Sequence, residues 1–325
     1  MNRVTLYRTR ALVLTFFFFA FVAAQSIKPP STQPARVPKT QPLQFDEQQA
    51  FRYLTKQTSF GPRHPGSKGH AQCQEYLEKE LQRLSDAVQL QTFTYLAADG
   101  KAYQLTNIIS SFNLNATKRI LLTAHWDTRA VADKDTEEKN RTRPILGAND
   151  GASGVAVLLE IARQMKLLAP PIGVDLILFD GEDVGTSGKP ETFCTGSRYF
   201  AKNKAQGFRP RFAINLDMIG DAVLEIKREQ YSDQYARDVV DLVFKSAAEV
   251  GSVQFKNVPG FQVYDDHVPL NEAGIRSIDL IDFDYPNSEK NYWHTLEDTP
   301  IHCSPKSLGA VGKALIHLLY SQGAQ

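Results

Sequence analysis

Cysteine is scarce in this chain. Only three of its 325 residues are cysteines, Cys73, Cys194 and Cys303, and no C-x-x-C pair occurs. Thiolate metal sites use closely spaced cysteines, so the sequence argues against such a site. A single disulfide remains open, but an odd count leaves at least one thiol unpaired, and buried free thiols are favoured.

An excess of charge of either sign is also missing. The 37 Lys and Arg residues balance 36 Asp and Glu residues, which gives a formal net charge of +1. Proteins that bind nucleic acid concentrate positive charge, so we expect no nucleic-acid partner. The hydrophobic share of 42% is that of a soluble globular protein with a sizeable core.

The N-terminus carries a short apolar run, ALVLTFFFFAFVAA, after three arginines. The run is shorter than the roughly 20 residues that span a bilayer, and it ends in small residues. We therefore predict a signal peptide over residues 1–24 and export to the periplasm or the exterior. An uncleaved membrane anchor is the alternative, whereas the lack of a cysteine after the run argues against a bacterial lipid anchor.

Proline and apolar content divide the rest of the chain into two parts. Residues 25–43 contain five prolines and few large apolar residues, as in an extended linker. No internal repeat and no second linker follow, so residues 44–325 are predicted to form one catalytic domain.

Apolar periodicity predicts that helices and strands alternate in this domain. Alternation of this kind is typical of an α/β fold with a mixed, largely parallel central sheet and helices on both faces. We predict helices over 45–56, 71–84, 152–165, 197–203, 234–250 and 307–320, with a short helix near 267–274, and strands over 89–95, 105–112, 119–124, 174–179, 212–216 and 275–283.

Parallel sheets gather their functional residues at the carboxyl ends of the strands. Five segments bring acids or histidines to that edge, and their residues are His125, Asp150 in a glycine-rich loop, Glu182 with Asp183, Asp217, and His294 beside Trp293. Each residue alone is more often a helix cap or turn former. Together they form a nitrogen and oxygen ligand set that suits a catalytic zinc.

The other histidines are weaker candidates. His64, His70, His302 and His317 have no acidic companions at a strand end, so we interpret them as structural. His267 is intermediate, because it lies beside two acids but begins a predicted helix.

Seven segments resemble the zinc-dependent aminopeptidase superfamily, which also contains the glutaminyl-peptide cyclotransferases. The resemblance runs from Phe45 to the C-terminus and rests on the order of the segments HWDTR, LGANDGASGVAVLLEIAR, ILFDGEDVG, TGSRYFA, NLDMIG, DDHVPL and WHTLEDT. For an aminopeptidase, it implies two zinc ions bridged by Asp150, with Glu182 as the general base. The first zinc would also take His125 and Asp217, and the second Asp183 and His294.

Two details resemble the cyclotransferases more closely. A second aspartate, Asp265, stands before Asp266-His267 where aminopeptidases usually have a small residue, and Trp293 precedes His294 as a pocket residue. The segments NLDMIG and HTLEDTP read instead like aminopeptidases, and Ala124 replaces a cysteine of the animal cyclotransferases. A bacterial-like cyclotransferase fits this mixture, with the aminopeptidase as the alternative. A silent binding domain is disfavoured, because the ligands and the base are present.

For a cyclotransferase, the resemblance implies conversion of N-terminal glutamine to pyroglutamate with release of ammonia. One zinc would be held by Asp150, Asp183 and His294, and Glu182 would carry the proton. Asp217 and Asp265 would share a proton or hydrogen bond, Trp293 would line the pocket, and His125 would remain from the absent first-metal site. Substrates would be peptide or protein N-termini, and we expect a monomer.

Asp183 departs from the resemblance, because both branches most often carry glutamate there. The side chain is one methylene shorter, so we expect either that its backbone lies closer to the metal or that the ligand geometry shifts.

Overall fold

The computed structural model describes residues 44–97 and 100–321. The predicted signal peptide and the predicted linker lie outside these ranges. Among the helices described, none is both long enough and apolar enough to cross a membrane.

Helices and strands alternate along the chain. The helices are α1 Glu47–Thr58, α2 Lys68–Leu84, α3 Ala152–Leu167, α4 Thr195–Asn203, α5 Gln230–Glu249, α6 His267–Glu272 and α7 Pro305–Ser321. The strands are β1 Ala87–Leu96, β2 Ala102–Phe112, β3 Arg119–His125, β4 Gly173–Phe179, β5 Ala213–Asp217, β6 Ile226–Arg228, β7 Phe255–Pro259, β8 Ser277–Ile281, β9 Pro286–Asn287 and β10 Lys290–Asn291.

Six strands form the central sheet in the order β1-β2-β4-β3-β5-β8. Strands β4, β3, β5 and β8 run parallel, and β1 and β2 are joined to them by antiparallel pairing. The predicted mixed, largely parallel α/β sheet is therefore confirmed. Its parallel strands send their carboxyl ends to one edge.

Strand β3 shows why the sheet is covered on both faces. Its apolar residues are buried without interruption, and successive side chains enter opposite faces. Leu122 packs into the large core that includes residues of α1, α3 and α7, whereas Leu121 packs with Phe200 of α4 and Leu270 of α6. Burial of both faces fixes the strand ends rigidly, which is what the site at their edge requires.

Some boundaries differ from the predictions. Helix α5 begins at Gln230, because the carboxylate of Glu229 accepts hydrogen bonds from the N–H groups of Tyr231 and Ser232 and caps the helix. Strand β8 ends at Ile281, before the predicted end at Phe283. All three cysteines are buried free thiols, which is the arrangement that the sequence analysis favoured.

Candidate active site

The carboxyl edge of the sheet brings the predicted site residues together. His125 ends β3, Glu182 and Asp183 follow β4, and Asp217 ends β5. Asp150, in the loop before α3, and His294, after β10, approach the same edge. All six side chains are buried.

Asp150, Asp183 and His294 form a group whose potential ligand atoms all lie within 4.8 Å of one another. Nε2 of His294 lies 3.0 Å from Oδ1 of Asp183 and 3.4 Å from Oδ2 of Asp150. Among the described residues, Oδ2 of Asp150 and Oδ2 of Asp183 have no hydrogen-bond partner. Buried carboxylate oxygens without a partner are costly, and a cation satisfies them. The donor set therefore fits zinc.

His125, Asp150 and Asp217 form a second group on the other side of Asp150. Nε2 of His125 lies 3.1 Å from Oδ1 of Asp150 and 3.1 Å from Oδ1 of Asp217. The two groups share Asp150, which is the arrangement that a bridged two-metal site would need.

The pKa values of the site report the crowding of its carboxylates. Burial raises the pKa of Asp217 to about 7, although His125 opposes the shift. Burial disfavours the charged form of His294, but the carboxylates of Asp183 and Asp133 raise its pKa to about 9. Neighbouring carboxylates contribute to both shifts, after burial in the case of Asp217, and a bound divalent cation would relieve this negative charge.

Asp127 fixes the backbone of the acidic pair. The N–H of Glu182 donates to Oδ1 of Asp127 at 3.1 Å, and the N–H of Asp183 donates to Oδ2 at 3.2 Å. The preceding Gly181 has a φ of +74°, which turns the chain sharply at the end of β4. Together the turn and Asp127 hold the backbone from which the short Asp183 side chain extends toward Asp150 and His294.

Asp298 supports the loop that carries Asp150. Its carboxylate accepts hydrogen bonds from the N–H groups of Asn149 and Asp150 at 2.8 and 3.2 Å. The hydroxyl of Tyr285 donates to the same carboxylate at 3.1 Å. Asp127 and Asp298 were absent from the predicted site, although both lie in segments that carry the resemblance.

Glu182 lies at the base of a pocket in a polar and buried setting. Burial and the neighbouring Asp183 carboxylate raise the pKa of Glu182 well above its ordinary value. The thiol of Cys194 donates to Oε1 of Glu182 at 3.3 Å. Glu182, Cys194 and Asp265 bring their polar atoms within 4.8 Å of one another. No pattern in the sequence indicates that a cysteine lies beside the predicted base.

The pocket itself has a volume of about 310 Å³. Polar residues line its base and aromatic residues its wall. Trp293 stacks on the His294 ring with 4.0 Å between ring centroids, and it also contacts Phe283. The lining includes Glu182, Asp183, Asp217, Asp265, Phe193, Phe261, Phe283, Trp293 and His294.

Asp217 and Asp265 do not use each other as hydrogen-bond partners. Asp217 pairs with His125, while Asp265 accepts from Asn215 at 2.9 Å and from the N–H of Asp266. Asp265 nevertheless contributes to the raised pKa of Asp217, after burial and against the effect of His125. The expected coupling of the two acids is therefore electrostatic in this structure.

Asp180 and His70 belong to the scaffold. The N–H of Thr106 donates to Oδ2 of Asp180 at 2.6 Å, and Nε2 of His70 lies 2.9 Å from Oδ1. His70 also stacks on Trp126. His267 is fully buried, with Nε2 3.2 Å from a Glu229 oxygen, so it lies behind Asp265 and outside the pocket lining.

Comparisons with known proteins agree with this geometry. The model of peptidase family M28 matches residues 107–319. A bovine glutaminyl-peptide cyclotransferase is 25% identical over 285 residues, which cover 78% of this chain and 76% of the relative.

Solved structures extend the likeness. A glutaminyl cyclase from Bacteroides thetaiotaomicron is 40% identical with a TM-score of 0.82, over 85% of this chain and 98% of that chain. A Zn-dependent exopeptidase from Parabacteroides distasonis is 36% identical with a TM-score of 0.82, over 86% and 99% of the two chains. The chain belongs to peptidase family M28, and within it to the enzymes of the glutaminyl-peptide cyclotransferase type.

Proposed function

We propose that this enzyme converts the N-terminal glutamine of peptides or proteins to pyroglutamate, with one zinc held by Asp150, Asp183 and His294. The supporting observation is a pair of buried carboxylate oxygens beside His294. Among the described residues, Oδ2 of Asp150 and Oδ2 of Asp183 have no hydrogen-bond partner, and both carboxylates lie within 3.4 Å of Nε2 of His294. In this proposal His125 organises Asp150 and Asp217 without binding metal.

The reaction joins the α-amine of the glutamine to its own γ-carbonyl carbon. Attack is intramolecular, so a pocket that holds the folded-back side chain gains much from orientation alone. We propose that Trp293 forms the wall against which this side chain packs. Asp150, Asp183 and His294 would hold the zinc, which would supply Lewis acidity toward the γ-carbonyl.

Glu182 is the proposed proton carrier. Its carboxylate takes a proton from the amine as the new C–N bond forms, and it returns that proton to the amide nitrogen as the old C–N bond breaks. Ammonia leaves and the lactam remains. The adjacent acids thus divide the work, because Asp183 faces the metal and Glu182 faces the substrate. Asp217 and Asp265 steady the tetrahedral intermediate.

An aminopeptidase with two zinc ions is the second candidate. The observation that favours it is the second ligand group, in which His125, Asp150 and Asp217 approach one another as closely as the first group does. Such an enzyme would use bridging water as its nucleophile.

One experiment separates the two candidates. The zinc-loaded protein is incubated with peptides that begin with glutamine or leucine, and the products are followed by mass spectrometry. We expect loss of ammonia from the glutamine peptides, with the chain intact, and no change in the leucine peptides. Release of a free N-terminal residue would contradict the proposal. Metal analysis of the same sample is expected to give near one zinc per chain.

A further inference from the structure

Asn215 occupies a buried position behind the pocket wall. It lies on β5, two residues before Asp217, and its side chain does not line the pocket. Its Nδ2 lies 2.9 Å from Oδ2 of Asp265 and 3.1 Å from Oδ1 of Asp279. Its Oδ1 accepts a hydrogen bond from the hydroxyl of Thr123 at 2.7 Å. One amide group therefore joins two buried carboxylates of different strands and loops.

The orientation of this amide follows from its partners. In the structure, Oδ2 of Asp265 and Oδ1 of Asp279 both accept hydrogen bonds, so the nitrogen of Asn215 faces them. The nitrogen has two hydrogens, which provide one donor for each carboxylate. The remaining oxygen needs a donor, and the Thr123 hydroxyl supplies it. Asparagine is the side chain of this size that offers two donors and one acceptor.

The second carboxylate makes this link costly to lose. Asp279 is buried, and its Oδ2 lies 4.0 Å from Nδ1 of His267. Burial and the charge of Asp265 raise the pKa of Asp279 well above its ordinary value. Without Asn215, both buried acids would lose a hydrogen-bond donor, which is costly for polar groups away from water.

Within the part of the chain that the structure describes, two hydrogen bonds hold the Asp265 carboxylate. Its Oδ1 accepts from the N–H of the next residue, Asp266, and its Oδ2 accepts from Asn215. The same carboxylate lies within 4.8 Å of a Glu182 oxygen across the pocket. A rotation of Asp265 would therefore alter its distance from Glu182 and from the reacting atoms.

We propose that Asn215 is a positioning residue for cyclisation, which holds the Asp265 carboxylate in the orientation that stabilises the tetrahedral intermediate. The inference rests on the proposed function. Asn215 does not line the pocket, and its contact with a pocket residue is the hydrogen bond to Asp265, through which it would act on the reaction. Its loss should lower turnover while substrate binding and zinc binding persist.

The test uses Asn215→Leu, which removes both donors at similar volume, and Asn215→Asp, which keeps the shape and adds a carboxylate. With a glutamine peptide as the probe, we expect kcat to fall about 10- to 100-fold, as small displacements near reacting groups do. KM and the zinc content should stay near wild type. In an Asp265→Asn background, the same Asn215 substitutions should cause no further fall in kcat.

A merely structural role gives a different pattern. It would lower activity equally in the wild-type and the Asp265→Asn backgrounds, and that result would overturn the inference. Thr123→Val, which removes only the hydroxyl beneath Oδ1, decides the matter if both Asn215 variants fail to fold. A fall in kcat that vanishes without Asp265 supports the inference, and an unchanged kcat overturns it. Wild-type protein that releases no ammonia overturns the proposed function and this inference with it.

Discussion

The carboxylate of Asp133 lies behind the imidazole of His294, with 3.4 Å between Oδ1 and Nδ1. Arg129 holds Asp133 in place through two hydrogen bonds at 2.9 and 3.0 Å. Another nitrogen of the same arginine donates to the carbonyl oxygen of Asp183 at 2.9 Å. Arg129 thus contacts both Asp133, which lies behind His294, and the backbone of Asp183, and it connects two proposed zinc ligands. Pairing of a ligand histidine with a carboxylate fixes the ring orientation and raises its basicity.

Replacement of Asp133 should therefore weaken zinc binding. We expect Asp133→Asn to lower zinc affinity about 10- to 100-fold, because the asparagine holds the His294 ring less firmly. Competition with a chromophoric chelator measures the affinity. The control is Asp241→Asn, which removes an ion pair with Arg228 at 2.8 Å far from the ligand group. Equal affinities of the two variants would argue against this role of Asp133.

The two histidines of the site should differ in their effect on metal content. If one zinc lies between Asp150, Asp183 and His294, then His294→Gln removes a ligand and should leave the purified protein nearly free of zinc. His125→Gln should retain near one zinc per chain and lose part of its activity through the disturbed Asp217. Atomic absorption measures both. If the wild-type protein contained two zinc ions and His125→Gln retained only one, the result would favour the aminopeptidase instead.

Glu182→Gln keeps the size of the proposed proton carrier and removes its basicity. We expect kcat to fall by about 10²- to 10⁴-fold, the usual contribution of a positioned acid or base. Zinc content should not change, because Glu182 lies outside the Asp150, Asp183 and His294 group. Steady-state ammonia release measures the rate. Activity near wild type would exclude Glu182 as the proton carrier.

Asp265→Ser tests the acid that aminopeptidases usually lack. Its loss removes a charge within 4.8 Å of Glu182 and frees the amide of Asn215, so cyclisation should fall at least about tenfold. Hydrolysis of leucine peptides, assayed in parallel, should stay absent. The matched control is Asp238→Ser, at an exposed ion pair with Arg276. A variant that cyclises normally would show that Asp265 has no part in the reaction.

Parallel strands bring their carboxyl ends to one edge of the sheet, and this explains why much of the site was predictable. Continuous apolar runs identified β3 and β4, and parallel pairing then required His125 and Asp183 to meet at one edge. The loops that follow the strands could be located in the sequence, but their conformations could not be predicted from it. The supporting acids Asp127 and Asp133 escaped prediction, because their partners are backbone N–H groups and ring nitrogens whose placement depends on the path of each loop.

Backbone conformation was the other feature of the site that could not be predicted from the sequence. Met218, directly after Asp217, and His294 both have positive φ angles, at 47° and 56°. Residues other than glycine adopt this region in only a few per cent of cases, although histidine does so more often than methionine, so propensity alone would not place either residue there. Such conformations persist where the surrounding structure fixes them, and they concentrate at functional sites. The short parallel pair of β6 and β7 was also missed, because three to five residues without alternation carry no strand pattern.

Gly154 gives a test of packing beneath the site. It lies in the first turn of α3, and a Cβ added there would meet the carbonyl oxygen of Leu216 at 2.2 Å and Cβ of Ala124 at 2.9 Å. Helix propensity alone favours alanine by about 1 kcal/mol. The clash opposes that gain, because backbone atoms of β5 cannot move without shifting Asp217.

Gly154→Ala should therefore lower the free energy of unfolding, by about 1–3 kcal/mol as overpacked cores do, and it should reduce activity as well. Urea unfolding followed by circular dichroism measures the stability. Gly207→Ala is the matched control, since a Cβ there meets nothing within 4 Å and its φ is not positive. That variant should be as stable as wild type or gain less than about 1 kcal/mol. If Gly154→Ala were the more stable of the two, helix propensity would outweigh the contact between α3 and β5, and Asp217 would not depend on that contact for its position.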